Sequence, residues 1–284
     1  MLNWLSAPFT YEFIQRGFIA SVIVGTICSV IGCYVVIRSM AFMGDAMAHA
    51  VLPGVAIAYI LNGNLTLGAL IASIIIALGI GQLSKLGKLK EDTSIGILFS
   101  AFLALGVLII SSIRTYAVDL SHILFGNILG VSRSDLIFTA VTAFFILLFI
   151  FIFYKEFLII SFDRVYAKAV KIPVEFYRNF MLVLMALTIV ASIQTVGVVM
   201  VAAMLVTPAA AAFILSKRLP VMMGISCLIG IISSVVGLYI SYYANVASGA
   251  AIVLTATAIF LIIFLFSPKR GVVWSRFRRR VRNN

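Results

Sequence analysis

Of the 284 residues, 63% are apolar and only 11% are charged, and the mean hydropathy is +1.21; soluble domains carry about 25% charged residues, so a water-soluble globular chain is excluded. The apolar residues come in runs long enough for a helix to cross roughly 30 Å of hydrocarbon, not in the short alternating strands of a membrane β-barrel. The net charge of +12 sits at the ends of these runs and in the C-terminal segment, which fits the positive-inside rule and excludes nucleic acid as the natural reading of the basic residues.

Residues 1–12 mix aromatic and polar side chains (Trp4, Phe9, Tyr11) and read as an interfacial lead-in. Phe13 to Ile37 is the first span, with Gly25 and Ser29 on an edge small enough for close helix contact. No cleavable signal peptide is expected, because this run is too long for a signal core and has Glu12 and Arg16 at its start. A second span follows Arg38 and ends near Leu61; Asn62-Gly-Asn64 is a turn. Thr66 to Leu83 and Ser94 to Ile113 are the third and fourth spans, separated by a loop that carries Lys85, Lys88 and Lys90.

Arg114 to Val131 is too short and mixed for a span and reads as an external half-helix or re-entrant piece. Asp135 to Phe153 is the fifth span. Tyr154 to Asn179 is a charged loop with Lys155, Arg164, Lys168, Lys171 and Arg178 against Glu156, Asp163 and Glu175. Phe180 to Leu215 crosses once or twice around Gln194 to Gly197, with Pro208 expected to kink its second part. Val221 to Tyr243, edged by Ser226, Gly230 and Ser234, and Ala247 to Phe266 complete the bundle. The 269–284 segment is a basic tail. Basic loops on alternate connections place Arg38, Lys85 to Lys90, residues 154–179, Lys217-Arg218 and the tail in the cytoplasm. The fold class is therefore all-α integral membrane, one transmembrane domain over residues 1–284 with eight or nine helices.

One stretch carries chemistry. Asp45 and His49, in Gly44-Asp-Ala-Met-Ala-His-Ala-Val-Leu-Pro-Gly54, are four residues apart and share a helical face. Carboxylate oxygen with imidazole nitrogen suits a divalent first-row metal, and ionisable groups inside a span usually line a path or cavity. The bland alternative makes Asp45 a helix cap and His49 a hydrogen-bonded filler. Two ligands do not complete a coordination shell, so other groups must join them. His122, with Asp119 on the same helical face, is a weaker second-tier candidate at the external side; Met40, Met43 and Met47 read as packing residues. Counted from Arg38, Asp45 lies only about two turns inside the cytoplasmic end of its span, whereas transporter sites usually sit near the midplane. Either the segment after Arg38 is re-entrant or the boundaries shift by several residues.

No catalytic cluster appears, and no P-loop: the Gly81 to Leu89 stretch has the wrong glycine spacing and no Ser or Thr after Lys88. Cys28, Cys33 and Cys227 lie in apolar runs without a CxxC pair and read as buried packing. Phe162 to Pro173 is a short amphipathic cytoplasmic helix candidate, with Ala167 and Val170 facing one way and Arg164, Lys168 and Lys171 another; it reads as a solvated loop helix or as a docking surface.

The Gly44 to Gly54 segment resembles the GDxxxHAxLPG signature of the membrane permeases of metal-ion ABC importers, the manganese, zinc and iron family. Asp119 to Asn127 is similar to that family's external segment, Phe162 to Pro173 to its coupling helix, and Val196 to Ala210 to the stretch that follows. The resemblance covers nearly the whole chain. It implies a type II ABC importer fold, as in vitamin B12 importers, with Asp45 and His49 as metal ligands. It further implies an ATPase contact around Asp163, Arg164, Ala167, Lys168, Val170, Ile172 and Pro173. The implied partners are a second permease copy, cytoplasmic ATP-binding subunits that hydrolyse the ATP, and an external metal-binding protein. The implied location is a bacterial inner membrane, and no cofactor is held permanently. Zinc members often carry a histidine in the fourth span; the matching position here is Ser100, which leans the cargo towards manganese, with zinc or iron as alternatives. An ATP-independent cation channel or secondary transporter is the rival from another class.

Overall fold

In the computed structural model, residues 10–112 and 128–267 are described. Long apolar stretches become helices because hydrocarbon leaves no other partner for the backbone N–H and C=O groups. The elements are α1 (Glu12–Ile37), α2 (Met43–Ala50), α3 (Leu52–Ile60), α4 (Leu65–Leu86), α5 (Glu91–Ser111), a 3₁₀ turn (Ile128–Gly130), α6 (Arg133–Ile152), α7 (Tyr154–Phe162), α8 (Arg164–Ala169), α9 (Val174–Val196), α10 (Val198–Leu215), α11 (Leu219–Ala244) and α12 (Ser248–Phe266). With α2 and α3 counted together, nine spans are long and apolar enough to cross a membrane among the described residues. The sequence left eight or nine open; α9 and α10 are separate helices that meet at Gly197, whose φ of 81° ends one and starts the other.

α1 is the axis of the bundle and packs on α6, α9, α10 and α11. The two small-residue edges read from the sequence pack against each other. A Cβ at Gly25 would sit 2.9 Å from Ser234 Oγ, and one at Gly230 would sit 2.4 Å from Ser29 Oγ. The hydroxyls close the seam: Ser226 Oγ donates to the Ser29 carbonyl (3.1 Å) and Ser234 Oγ to the Ser21 carbonyl (3.1 Å). At Gly32 the approach is closest, with the Leu205 carbonyl of α10 within 1.8 Å of where a Cβ would stand. α10 runs through Pro208 as one helix. Large apolar side chains such as Phe151, Leu254, Leu108 and Phe144 face outwards, as hydrocarbon contact requires.

The connections sort to two ends. Asn64 caps α4 by accepting from the Thr66 and Leu67 N–H groups, and Ser132 with Asp135 forms a capping box at the start of α6; these lie at the end expected to be external. At the other end, Arg178 Nη2 donates to the Gly81 carbonyl (2.6 Å). The segment read as a charged loop, residues 154–179, is largely helical. α7 and α8 occupy its first part, and α9 starts at Val174, so Arg178 is buried instead of solvated. Phe153, Phe157, Tyr177 and Phe180 form an edge-to-face cluster there that reaches Tyr34 of α1. The start of the lead-in, residues 1–9, and the whole basic tail, residues 269–284, lie outside the described residues.

Candidate functional site

α2 is short because it has a break at each end. Upstream, α1 closes in a left-handed turn at Ser39 (φ 56°). The Met40 N–H donates to the Val35 carbonyl (2.9 Å) and the Ser39 N–H to the Val36 carbonyl (3.2 Å), the Schellman pattern that ends helices. Downstream, Pro53 has no N–H to give the His49 carbonyl four residues back, and the chain turns at Val51 into α3. The second span is thus two helices after a turn, and Asp45 lies in the first turn of its own helix. The chain breaks after Arg38 at the left-handed Ser39.

His49 Nδ1 lies 3.0 Å from the Asp45 carbonyl oxygen and 3.6 Å from Asp45 Oδ1. A carbonyl only accepts, so Nδ1 donates in this contact, and Nε2 is the ring nitrogen left to face a metal. The Phe99 ring of α5 stands edge-on to the imidazole at 6.2 Å. Asp45 does not cap the helix: Phe42 holds the N-cap position and no side chain bonds there. Met40, Met43 and Met47 are fully buried in the core and are packing residues, as expected.

The Asp45 side chain is 58% exposed and that of His49 28%. Asp45 opens beside α5, where Phe42, Asp45, Asp92, Ile95, Gly96 and Phe99 line a cleft of about 220 Å³; His49 does not line it and reaches it only through the edge of Phe99. Asp92 was not singled out from the sequence. The fourth span begins at Glu91, one turn before the Ser94 start read from hydropathy, and that extra turn brings Asp92 into the cleft. Two acids directly after Lys90 are a helix-start signal. Ser100 Oγ donates to the Gly96 carbonyl of its own helix (3.0 Å). No group of three or more His, Cys, Asp or Glu able to hold a metal occurs among the described residues. One chain presents Asp45 and His49 as a partly exposed pair. His122 and Asp119 lie outside the described residues.

The helix that carries Asp45 and His49 is held from behind by small residues. α2 packs on α5 and α10, and α3 crosses α4 where Gly54 and Gly68 touch: a Cβ at Gly54 would lie 2.3 Å from the Gly68 carbonyl. Gly54→Ala is expected to lower stability by about 1–3 kcal/mol through forced separation of these backbones. A thermal-shift measurement on the purified protein checks this.

The predicted docking element is helix α8, capped by Asp163, whose Oδ1 accepts from the Val165 and Tyr166 N–H groups (2.9 Å each). Ala167 is buried against Ile160 and Val174, with Ile172 packed beside them. Lys168, Val170 and Pro173 are exposed, together with Phe162, Tyr166 and Val165, the last at 80%. Arg164 departs from the reading of a free basic face. Its Nη2 donates to Glu91 Oε1 (2.6 Å), and Arg38 Nη2 donates to both oxygens of the same carboxylate (3.0 and 2.9 Å). Burial pulls the Arg38 guanidinium below its ordinary range and the Glu91 charge draws it back up.

The comparisons with known proteins agree with this architecture. The family model described as the ABC 3 transport family matches residues 10–267. The manganese transport system membrane protein MntC of Halalkalibacterium halodurans is 48% identical over 269 residues, covering 95% of this chain and 92% of that protein. A Haemophilus influenzae protein named "Probable iron transport system membrane protein" is 40% identical over 283 residues, covering both chains fully. The solved structure of PsaBC from Streptococcus pneumoniae in complex with Fab superposes with a TM-score of 0.84 at 41% identity, over 96% of this chain and 99% of that one. With its all-α spans, a family model over residues 10–267 and relatives of 40–48% identity, the chain belongs to the ABC 3 transport family.

Proposed function

We propose that this chain is the permease subunit of an ATP-driven importer that carries a divalent transition-metal ion, manganese, into the cytoplasm of a bacterial cell. The observation that carries the reading is the Asp45–His49 half-site, opening at the surface of a membrane bundle whose relatives include a named manganese transport protein. A carboxylate on a surface facing hydrocarbon is costly, so protein or water must cover it. A second copy of the chain, its half-site facing the first, supplies the cover and doubles the ligand set to two carboxylates and two imidazoles. That oxygen-containing set, with the Ser100 hydroxyl where zinc members carry imidazole, favours Mn²⁺ over Zn²⁺; iron is the closer competitor, as a relative named for iron transport suggests.

The ATP is hydrolysed by a separate cytoplasmic subunit that docks on α8, and an external metal-binding protein delivers the ion. Support for the docking comes from the apolar side chains that α8 leaves uncovered, Val165 and Tyr166, flanked by Phe162 and Val170. Val165→Asp is expected to reduce co-purification of the ATPase at least about tenfold, since a charge placed in an apolar contact removes its burial, while Mn²⁺ binding to the permease stays intact.

The reading is tested in proteoliposomes that hold the permease, the ATPase and the loaded binding protein, with Mn²⁺, Zn²⁺ and Fe²⁺ in competition. ATP-dependent uptake that prefers Mn²⁺ is the expected result. Uptake at full rate without the ATPase would make the protein a channel or secondary transporter.

A further inference from the structure

Glu91 is an unusual residue for this bundle. It is a buried carboxylate at the first position of α5, and three separate parts of the chain meet on it. Arg38, itself buried, closes α1 and bonds both Glu91 oxygens. Arg164, half-exposed on α8, bonds Oε1. α5 itself is the third part. Removing Glu91 would leave the buried Arg38 charge uncompensated, so the carboxylate holds the three parts to one geometry.

Both walls of the half-site start at this carboxylate. From Arg38 the chain passes through the left-handed Ser39 into α2, which carries Asp45 and His49. From Glu91, α5 continues to Asp92 and Gly96 in the cleft beside Asp45, and to Phe99 against the His49 ring. The other anchor of α8 leads elsewhere: Ala167 sits against Ile160 of α7 and Val174 of α9, and neither helix contributes a lining residue to the cleft. α9 also packs on α2; the ionic node differs in joining α8 to the starts of both α2 and α5, the two walls of the cleft.

We propose that Glu91 is the positioning residue that couples α8 to the half-site: with Arg164 engaged it holds α2 and α5 together, and displacement of α8 shifts both walls of the cleft. The inference rests on α8 being the docking element for the ATPase. Arg164 is then a coupling residue and not a contact to the partner, which is why it turns towards the permease.

Spatial connection alone does not establish coupling, so the test is a double-mutant cycle on the complete importer in proteoliposomes, reading Mn²⁺ ions moved per ATP hydrolysed. Glu91→Gln and Arg164→Gln are each expected to lower that ratio at least about threefold, with the ATPase still bound and hydrolysis continuing. The double variant is expected to be no worse than Glu91→Gln alone, because both remove the same link. An unchanged ratio in either single variant overturns the proposal, as do effects that multiply in the double variant. If Glu91→Gln does not assemble, Arg164→Gln decides alone, since its side chain is half-exposed. Val165→Asp separates the two readings: if the ATPase still co-purifies at full level, the docking assignment fails and takes the proposal with it. If the ATPase is lost in Val165→Asp while Glu91→Gln and Arg164→Gln keep the wild-type ratio, only the Glu91 proposal fails.

Discussion

Alanine at Asp45 or at His49 is expected to reduce Mn²⁺ uptake by the assembled importer at least about 100-fold. Substituting groups that merely support a metal ligand already costs about 10–100-fold, and in a paired permease each substitution removes a ligand from both copies. The same variants should fold normally. The Asp45 carboxylate is more than half exposed and caps no helix, and surface changes of this kind usually stay within about 0.5 kcal/mol. Uptake and thermal midpoint measured side by side distinguish a ligand from a structural residue: a ligand loses transport and keeps the midpoint. Asp45→Asn should also fail, since the neutral amide is a weaker partner for a hard divalent cation.

The second large effect is on assembly. Gly32→Ala is expected to destabilise the bundle by more than about 3 kcal/mol, beyond the usual range of overpacking. The new Cβ would fall 1.8 Å from the Leu205 carbonyl and 2.9 Å from its carbon, and backbone cannot rotate away as a side chain can. α1 and α10 would have to part, and α10 also backs α2, where Leu205 stands against Gly44. Gly224→Ala is the matched control, because nothing lies within 4 Å of its Cβ position, and in a helix that change is neutral or stabilising by about 0.5–1 kcal/mol. Size-exclusion profiles after heating compare the two; equal melting of Gly32→Ala and wild type would contradict the packing described for α1.

Much of this was legible in the sequence, and the reasons differ by element. The spans could be read because hydrocarbon forces a one-dimensional pattern of apolar length onto the chain. The α1–α11 seam could be read because small residues four apart have one main use between membrane helices, and Gly25 and Ser29 do meet Ser226, Gly230 and Ser234. Asp45 and His49 stood out because ionisable groups are rare beside apolar sequence. What could not be read was the set of long-range polar contacts. Glu91, Arg164 and Arg178 sit in stretches that look like solvated charged loops, and only the folded chain brings Glu91 to Arg38 and Arg178 to Gly81. The second span was read as unbroken to Leu61, although Pro53 sits at the start of a new helix; the left-handed Ser39 carries no sequence signal, since serine does not mark that conformation. Asp92 was hidden by a hydropathy boundary, because an acidic first turn lowers the apolar average while favouring the helix N-terminus.

Electron paramagnetic resonance of Mn²⁺ added to the purified permease tests the central claim most directly. Bound Mn²⁺ should appear at one ion per two chains and disappear in both Asp45→Ala and His49→Ala, with the protein still paired in solution. Binding that survives both substitutions would show that the ion is held elsewhere and that the Asp45–His49 helix is structural.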